Sequence, residues 1–531
     1  MSNNNAAFRY DALGRLIQVI FPNGSHANYQ YDDMGNRQLV ENVVPTPVQV
    51  AALPKRSQSD FKNDPMIVQL VNGALAGWGD NATGVLSNGV IAATNSLAQQ
   101  VVFDPTTTTP PSNATIVDWA FTNANLYVVY SNGWVYSAGD NAYGALGHGD
   151  LVSRPYLKRI ESFITAGASV TKVWAQGGYT TTNGGGSAFF LTSDFRLWGV
   201  GLNTAGQLGT GAVTNVSTPT DVSNVTGHVL DQSAASHVID VKMATVSTFI
   251  STYLLFGGTS PGKVMVAGYN VQGQLGINTV TNQTAGFVPA QDSTGAAFTT
   301  AVAISANGGS TASGNALIVD ASGYVWTTGY NLHGELGQGV TANFKQFTKV
   351  TALSGIASAE IFGGLTGSAY ALTTAGTLWT WGSTNLNQIF KNITSTVAQS
   401  TPVAAGFVPS GLISQVFHAR GQQGLATCSQ LILLMSDGRL VYAGADDGQL
   451  SVADPSGAFN ILPEPKFIRD GSDTIIDVFV HGTGLLQRWF ILTASGYLYA
   501  CGNNADAICT GAAATTVAVV NSVWSKIDLS L

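Results

Sequence analysis

The chain has 531 residues, 45% of them apolar and only 10% charged, with 61 glycines and a net charge of −8. Globular domains carry about 25% charged residues, so this composition points to an all-β protein with many tight turns. It argues against nucleic acid and against membrane insertion. The densest basic stretch, Arg154 to Arg159, holds three charges, and no apolar run reaches bilayer-spanning length.

Residues 1–42 differ from the rest. Tyr10-Asp-Ala-Leu-Gly-Arg-Leu is echoed 21 residues later at Tyr31-Asp-Asp-Met-Gly-Asn-Arg. Between them lie the turn Phe21-Pro-Asn-Gly and the alternating Ala27-Asn-Tyr-Gln-Tyr. This pattern predicts two β-hairpins. In spacing and residue type it resembles the YD repeat of the Rhs family. Rhs proteins stack many such hairpins into a shell around a toxin, and two repeats cannot enclose anything. The segment is expected to lie on the remainder of the chain, to lack structure alone, or to add strands to a partner's sheet edge. Residues 43–60 read as a linker.

From residue 61 to 531 one phrase recurs: apolar strand, small residue plus Gly, aromatic strand, Gly-x-Asn, then Gly-Gln-Leu-Gly. Its anchoring glycine stands at Gly79, Gly139, Gly201, Gly268, Gly329, Gly382, Gly444 and Gly502, at intervals of 60, 62, 67, 61, 53, 62 and 58 residues. Two positions later come Asn81, Asn141, Asn203, Asn270, Asn331 and Asn504, with Thr384 and Asp446 in the other copies. Seven positions after the glycine come Leu86, Leu146, Leu208, Leu275 and Leu336; Ile389 and Cys509 replace the leucine, and Leu450 serves a shorter copy. Three positions before it stand Tyr136, Trp198, Met265, Trp326, Trp379 and Tyr499. Six before it stand Gly73, Gly133, Gly262, Gly323, Gly376, Gly438 and Gly496. Each copy reads as a hairpin followed by a return loop whose Leu plugs the core. Such units bury their apolar faces only against neighbours. These positions are expected to be scaffold.

Gly201-Leu-Asn-Thr-Ala-Gly-Gln-Leu-Gly, Gly268-Tyr-Asn-Val-Gln-Gly-Gln-Leu-Gly and Gly329-Tyr-Asn-Leu-His-Gly-Glu-Leu-Gly resemble the regulator of chromosome condensation repeat family. The resemblance implies a β-propeller of four-stranded blades. Family propellers usually have seven blades, whereas eight hairpin motifs are present here. Eight blades, or seven with an extra hairpin, both remain open. The family's His near the first strand is missing at Gly177-Gly-Tyr-Thr and Gly363-Gly-Leu-Thr. Polar connections at Asp104-Pro-Thr-Thr-Thr-Thr-Pro-Pro-Ser-Asn and from Thr210 to Val238 are the expected contact loops.

No catalytic constellation emerges. Gly184-Gly-Gly lacks a following helix pattern and reads as a flexible turn rather than a phosphate cradle. Gly258-Thr-Ser-Pro-Gly has the spelling of a nucleophile elbow but is followed by a strand, so it reads as a hairpin loop. Asp446-Asp447 lacks the alternating ligands of a calcium loop. The seven histidines, His26, His148, His228, His237, His333, His418 and His481, are scattered. Cys428, Cys501 and Cys509 make no disulfide framework, though a Cys501–Cys509 bridge is conceivable. No catalytic, cofactor-binding or metal-binding residue and no cofactor is therefore assigned.

The expected function is a non-catalytic protein-binding propeller with an unidentified protein partner. The YD-like segment suggests a bacterial, secreted or toxin-associated setting. The start, Met-Ser-Asn-Asn-Asn, lacks signal-peptide regions, so a signal-peptide-independent route is favoured over a cytoplasmic location. Guanine nucleotide exchange on a small GTPase is one alternative, implied by the family resemblance. Carbohydrate binding through some of the ten Trp and 17 Tyr is another.

Overall fold

The computed structural model describes residues 7–10, 16–20, 26–31, 37–43, 49–53, 65–177, 186–246, 249–258, 262–309, 313–363, 367–383, 398–405, 412–419, 430–444, 460–461, 473–481, 488–503 and 520–527. The chain divides into two compact units. One is Met1–Gln49 with Asp528–Leu531; the other is Val50–Ile527.

In the first unit, strands Ala7–Tyr10, Leu16–Ile20, His26–Tyr31 and Arg37–Val43 pair antiparallel in chain order. The two hairpins expected from the YD pattern thus join into one four-stranded sheet.

The second unit is a β-propeller of eight four-stranded antiparallel blades. Seven blades plus a hairpin is ruled out, because all eight motifs complete a sheet. The first strands of blades 1 to 8 are Val50–Ala52, Ile116–Phe121, Val170–Gln176, His237–Val246, Ala301–Asn307, Ile356–Phe362, Ile413–Ala419 and Ile475–His481. Blade 1 therefore begins inside the 43–60 stretch read as a linker. Its three-residue first strand is too short to register as a strand in sequence, and it pairs across to Gln69 and Leu70. The one helix among the described residues is the five-residue Glu161–Thr165.

Second strands such as Ser187–Thr192 and Asn315–Asp320 are buried at every position, as expected for strands covered on both faces. Their side chains pack between blades rather than within one. Tyr253, Leu255 and Val266 of blade 4 meet Ile304, Ala316 and Ile318 of blade 5. Leu317, Val319 and Val325 of blade 5 meet Ile361, Ala371 and Trp381 of blade 6. One sheet alone leaves both faces wet, which is why the unit needs the ring.

First strands lie beside first strands of neighbouring blades and are therefore innermost. Hydrogen bonds link them around the axis. Val173 N–H donates to Asp118 Oδ2 at 2.9 Å, Trp174 Nε1 to Asp240 Oδ1 at 3.0 Å, and Asn307 Nδ2 to Gly363 O at 2.8 Å. His418 Nε2 lies 2.6 Å from Glu360 Oε2. Each first strand also skips register once near its start, at the second residue in seven blades and the third in blade 4: Ala51, Val117, Thr171, Ile239, Val302, Ala357, Ser414 and Ile476 in blades 1 to 8. These are β-bulges, which re-aim the skipped side chain.

Two positions demand glycine. The anchoring Gly329 has φ +101°, and a Cβ there would run into Gly314 O; Gly139, Gly201 and Gly268 repeat this clash with Ala124, Gly186 and Ile250. The other demand is visible in its exceptions. Phe195, Ser87 and Asn278 are the non-glycine residues at positive φ among those described, at 65°, 51° and 61°. Phe195 occupies the turn position that is Gly133 and Gly323 elsewhere. Ser87 replaces Gly147 or Gly209, and Asn278 replaces Gly149 or Gly339. The blade geometry dictates the left-handed conformation even where the sequence does not supply glycine.

Candidate protein-docking face

The loop from third to fourth strand is built around the repeated Asn. In blade 5, Asn331 Oδ1 accepts from Leu336 N–H at 2.8 Å, and its Nδ2 donates to Val340 O and Ala342 O, both at 2.9 Å. Asn331 N–H in turn donates to Asn343 Oδ1 at 3.0 Å. Asn203 and Asn270 repeat all four bonds in blades 3 and 4. In blades 1 and 2, Asn81 and Asn141 hold Leu86 and Leu146 in the same way. Leu86, Leu146, Leu208, Leu275 and Leu336 are fully buried plugs. These positions are scaffold, because their polar atoms are consumed by the loop itself.

The loops are then fastened to the next blade. Gly89 N–H donates to Pro155 O, Gly149 to Ser217 O and Asn278 to Lys345 O, all at 2.8 Å, and Gly339 to Ser400 O at 2.7 Å. Their tips carry a regular set of exposed aliphatics. Val90 and Ile91, Leu151 and Val152, Val213, Val280 and Val340 project from blades 1 to 5, each 44 to 62% exposed. Val271 and Leu332 add two more on blades 4 and 5. Apart from the buried Glu335, loops 202–215, 269–282 and 330–343 contain no Asp, Glu, Lys or Arg. In blades 3 to 5 the tips are thus apolar and uncharged on backbone held by its own hydrogen bonds, so little order would be lost on contact, while the blade 2 loop also carries Asp140 and Asp150.

The loops favoured from sequence are less open. Asp104 caps Thr106 through its backbone N–H at 2.8 Å, Tyr136 Oη donates to Thr108 O at 2.7 Å, and Arg159 N–H donates to Thr107 Oγ1 at 3.0 Å, so this connection is pinned to blade 2. Within 210–238, the short ribbon Asn224–Val225 with His228–Val229 leaves Val229 exposed.

The weaker motifs fall into turns or outside the described residues. Gly258 and Gly262 flank the hairpin between Phe249–Gly257 and Val264–Gly268; residues 259–261 lie outside the described set. So do Gly184 and Gly185, Asp446 and Asp447, Cys428 and Cys509, and the Ile389, Leu450 and Asn504 copies of the repeat positions. Cys501 is buried beside Trp489 and Ile491 in a core cluster. His148, His228, His237, His333 and His418 each engage a local partner: Ser137, Val222 O, Ser233 O, Glu335 and Glu360. Among the described residues no three His, Cys, Asp or Glu side chains converge as metal ligands. Every exposed large apolar side chain among those residues is Val, Leu or Ile. Outside strands Ala7–Tyr10, His26–Tyr31, Leu440–Gly444 and Val520–Lys526, the described Trp and Tyr are buried or half-buried, as Trp326 is against Phe298 at 5.3 Å.

Residues 10–41 match the family model described as RHS Repeat. Solved structures similar to the chain include human WBSCR16, at 18% identity and TM-score 0.49, covering 74% of this chain and 93% of that one. Prp20p from Saccharomyces cerevisiae is 16% identical with TM-score 0.49, covering 81% and 90%. Yeast RCC1 (Prp20), solved with Kap60, is 15% identical with TM-score 0.45, covering 67% and 76%. The RHS resemblance drawn from the sequence thus reappears at residues 10–41, and a structure named yeast RCC1 (Prp20) stands among those similar to the chain.

Proposed function

We propose that this chain is a non-catalytic binding propeller that docks a protein partner on the face formed by the third-to-fourth-strand loops. The observation carrying this reading is the recurrence of exposed aliphatics eleven or twelve residues past the anchoring glycine on five consecutive blades, from Val90 to Val340. Aliphatic area on rigid loops favours burial against another protein, at about 25 cal/mol per Å² of apolar surface removed from water. Sugar stacking draws no support from the exposed side chains, which are aliphatic. The secreted, toxin-associated setting rests on the RHS match over residues 10–41. A GTPase partner would be a special case of the same docking, and acceleration of nucleotide release in a stopped-flow panel would identify it.

The test uses the full chain as bait against secreted and cytosolic proteins, beside Leu151→Asp/Val152→Asp and Val280→Asp/Val340→Asp. All four positions are exposed, so folding is expected to survive. Partner capture should fall at least roughly tenfold in both double variants. A partner retained equally by wild type and both variants ends this reading.

A further inference from the structure

Every blade ends in an outer strand, so the rim of the ring is a series of sheet edges whose backbone groups can pair with another chain. In five consecutive blades one register of that edge is closed. The residue concerned precedes the one paired with the position two before the anchoring glycine. It is Leu157, Pro219, Phe287, Phe347 and Pro402 in blades 2 to 6. Leu157 N–H donates to Val102 O at 3.0 Å, and Phe347 N–H to Gln291 O at 2.9 Å. Phe287 N–H donates to His228 Nδ1 at 3.2 Å. Pro219 and Pro402 have no N–H to offer.

In blade 1 the same register falls on Ala98, because Gln99 pairs with Gly77. The outer strand there, Ala92–Gln100, has nine residues, against six or seven in blades 2 to 6 and 8. Of the outer strands longer than two residues, it alone contains neither proline nor an ionisable side chain. Gln100 stands where blade 2 ties Arg159 N–H to Thr107 Oγ1 and where blade 4 has Pro289. Among the described residues, no backbone hydrogen bond or bridge from outside the sheet reaches this strand. Its own continuation crosses to blade 2, where Val102 and Asp104 close the edge at Leu157. The bonds that fasten one blade's loop to the next end at Pro155, Ser217, Lys345 and Ser400, each just after the partner of the anchoring glycine. The equivalent here is Ser96, two residues short of Ala98.

We propose that this rim strand pairs antiparallel with the same strand of a second copy, about a two-fold axis near Ala98, joining two four-stranded sheets edge to edge. The neutral sequence decides the occupant. Self-pairing sets a strand against its own side chains, so any ionisable group meets its like. Arg154–Arg159 and Phe344–Lys349 would repel themselves in this arrangement, and Ala92–Gln100 does not. The seam lies on the rim rather than on the loop tips, so either site can fail without the other.

Sedimentation velocity of the full chain at about 5 and about 100 µM tests it, and the dimer fraction should rise with concentration. Ala98→Pro gives blade 1 the residue that blades 3 and 6 hold at this register, and it should weaken the dimer at least roughly tenfold. Gln99→Lys/Gln100→Lys changes two exposed side chains and leaves every amide in place. It should weaken the dimer similarly, with partial recovery at roughly 0.5 M salt. Ala98→Val keeps the N–H and should keep the dimer, as should Val280→Asp/Val340→Asp on the loop tips. If Ala98→Pro lowers the urea midpoint, the lysine pair decides. A chain that stays monomeric at both concentrations overturns the proposal. So does a dimer that the lysine pair leaves at full strength.

Discussion

The backbone N–H of Val50 donates to the carbonyl of Gly496 across 2.8 Å, joining the first strand of blade 1 to the hairpin turn of blade 8. The same bond joins consecutive blades elsewhere: Val170 to Gly133 at 3.1 Å and Ile356 to Gly323 at 3.0 Å. The ends of the ring thus meet through an ordinary inter-blade seam. Every blade sheet consists of four strands consecutive in the chain, so no sheet is shared between the two ends.

This seam can be opened selectively. Val50→Pro removes the N–H and leaves Gly496 O without its donor, at an expected cost of about 1–3 kcal/mol. Removing residues 1–49 should leave the propeller's urea midpoint nearly unchanged. Removing 1–60 takes away the whole first strand and should lower it clearly. Equal midpoints for the two truncations would show that Val50–Ala52 contributes nothing to closure.

Asn331→Ala strands Leu336 N–H and the carbonyls of Val340 and Ala342. Buried unsatisfied groups cost about 1–3 kcal/mol each before relaxation, so a loss of about 2–4 kcal/mol is expected. Asn331→Asp keeps the acceptor but not the donors and should fall between. Denaturant titration of the three proteins checks the order.

Gly329→Ala combines a φ of +101° with a methyl directed at Gly314 O, whereas Gly73→Ala has φ +85° and open space around its Cβ. The Gly73 change should cost about 1 kcal/mol of backbone strain alone. The Gly329 change should cost at least about 2 kcal/mol more, because backbone must move. Matched thermal melts read the difference directly.

Burial, followed by repulsion from Arg154 and Lys158, pushes the pKa of His148 down to about 3. The folded protein therefore holds this imidazole neutral, while the unfolded chain protonates it below about 6.5. The unfolded state binds the extra proton, so stability falls as pH drops from about 6.5 towards 3. Asp150, held low chiefly by its hydrogen bond from Arg154, loses its own contribution in more acidic solution. His148→Gln should flatten the fall in urea midpoint between pH 7 and pH 4.5. An unchanged slope would mean that His148 is solvated in the native state.

The proposed docking face was legible in part. An aliphatic eleven or twelve residues past the anchoring glycine recurs at Val90, Leu151, Val213, Val280 and Val340. Yet alternation and turn chemistry cannot tell an exposed Val on a loop from a buried one. What separates Val340 from Leu336, four residues earlier, is that Asn331 turns Leu336 inward and fastens Val340 at the rim. The long polar connections suggested contact loops by composition, but at 104–108 tertiary bonds to blade 2 consume them.

The blade itself is a local object. Asn331 reaches five, nine, eleven and twelve residues ahead, and Gly329 is required by a strand beginning fourteen residues behind it. Interactions of that span leave a periodic trace in the primary structure, so repeat, hairpin and core plug can all be read from it. The number of blades in a closed ring, the start of the first at Val50 and the ring of bulges could not, because they depend on neighbours in space. Residue 50 meets residue 496 only when seven other sheets have set the angle between them, and no local pattern encodes that meeting.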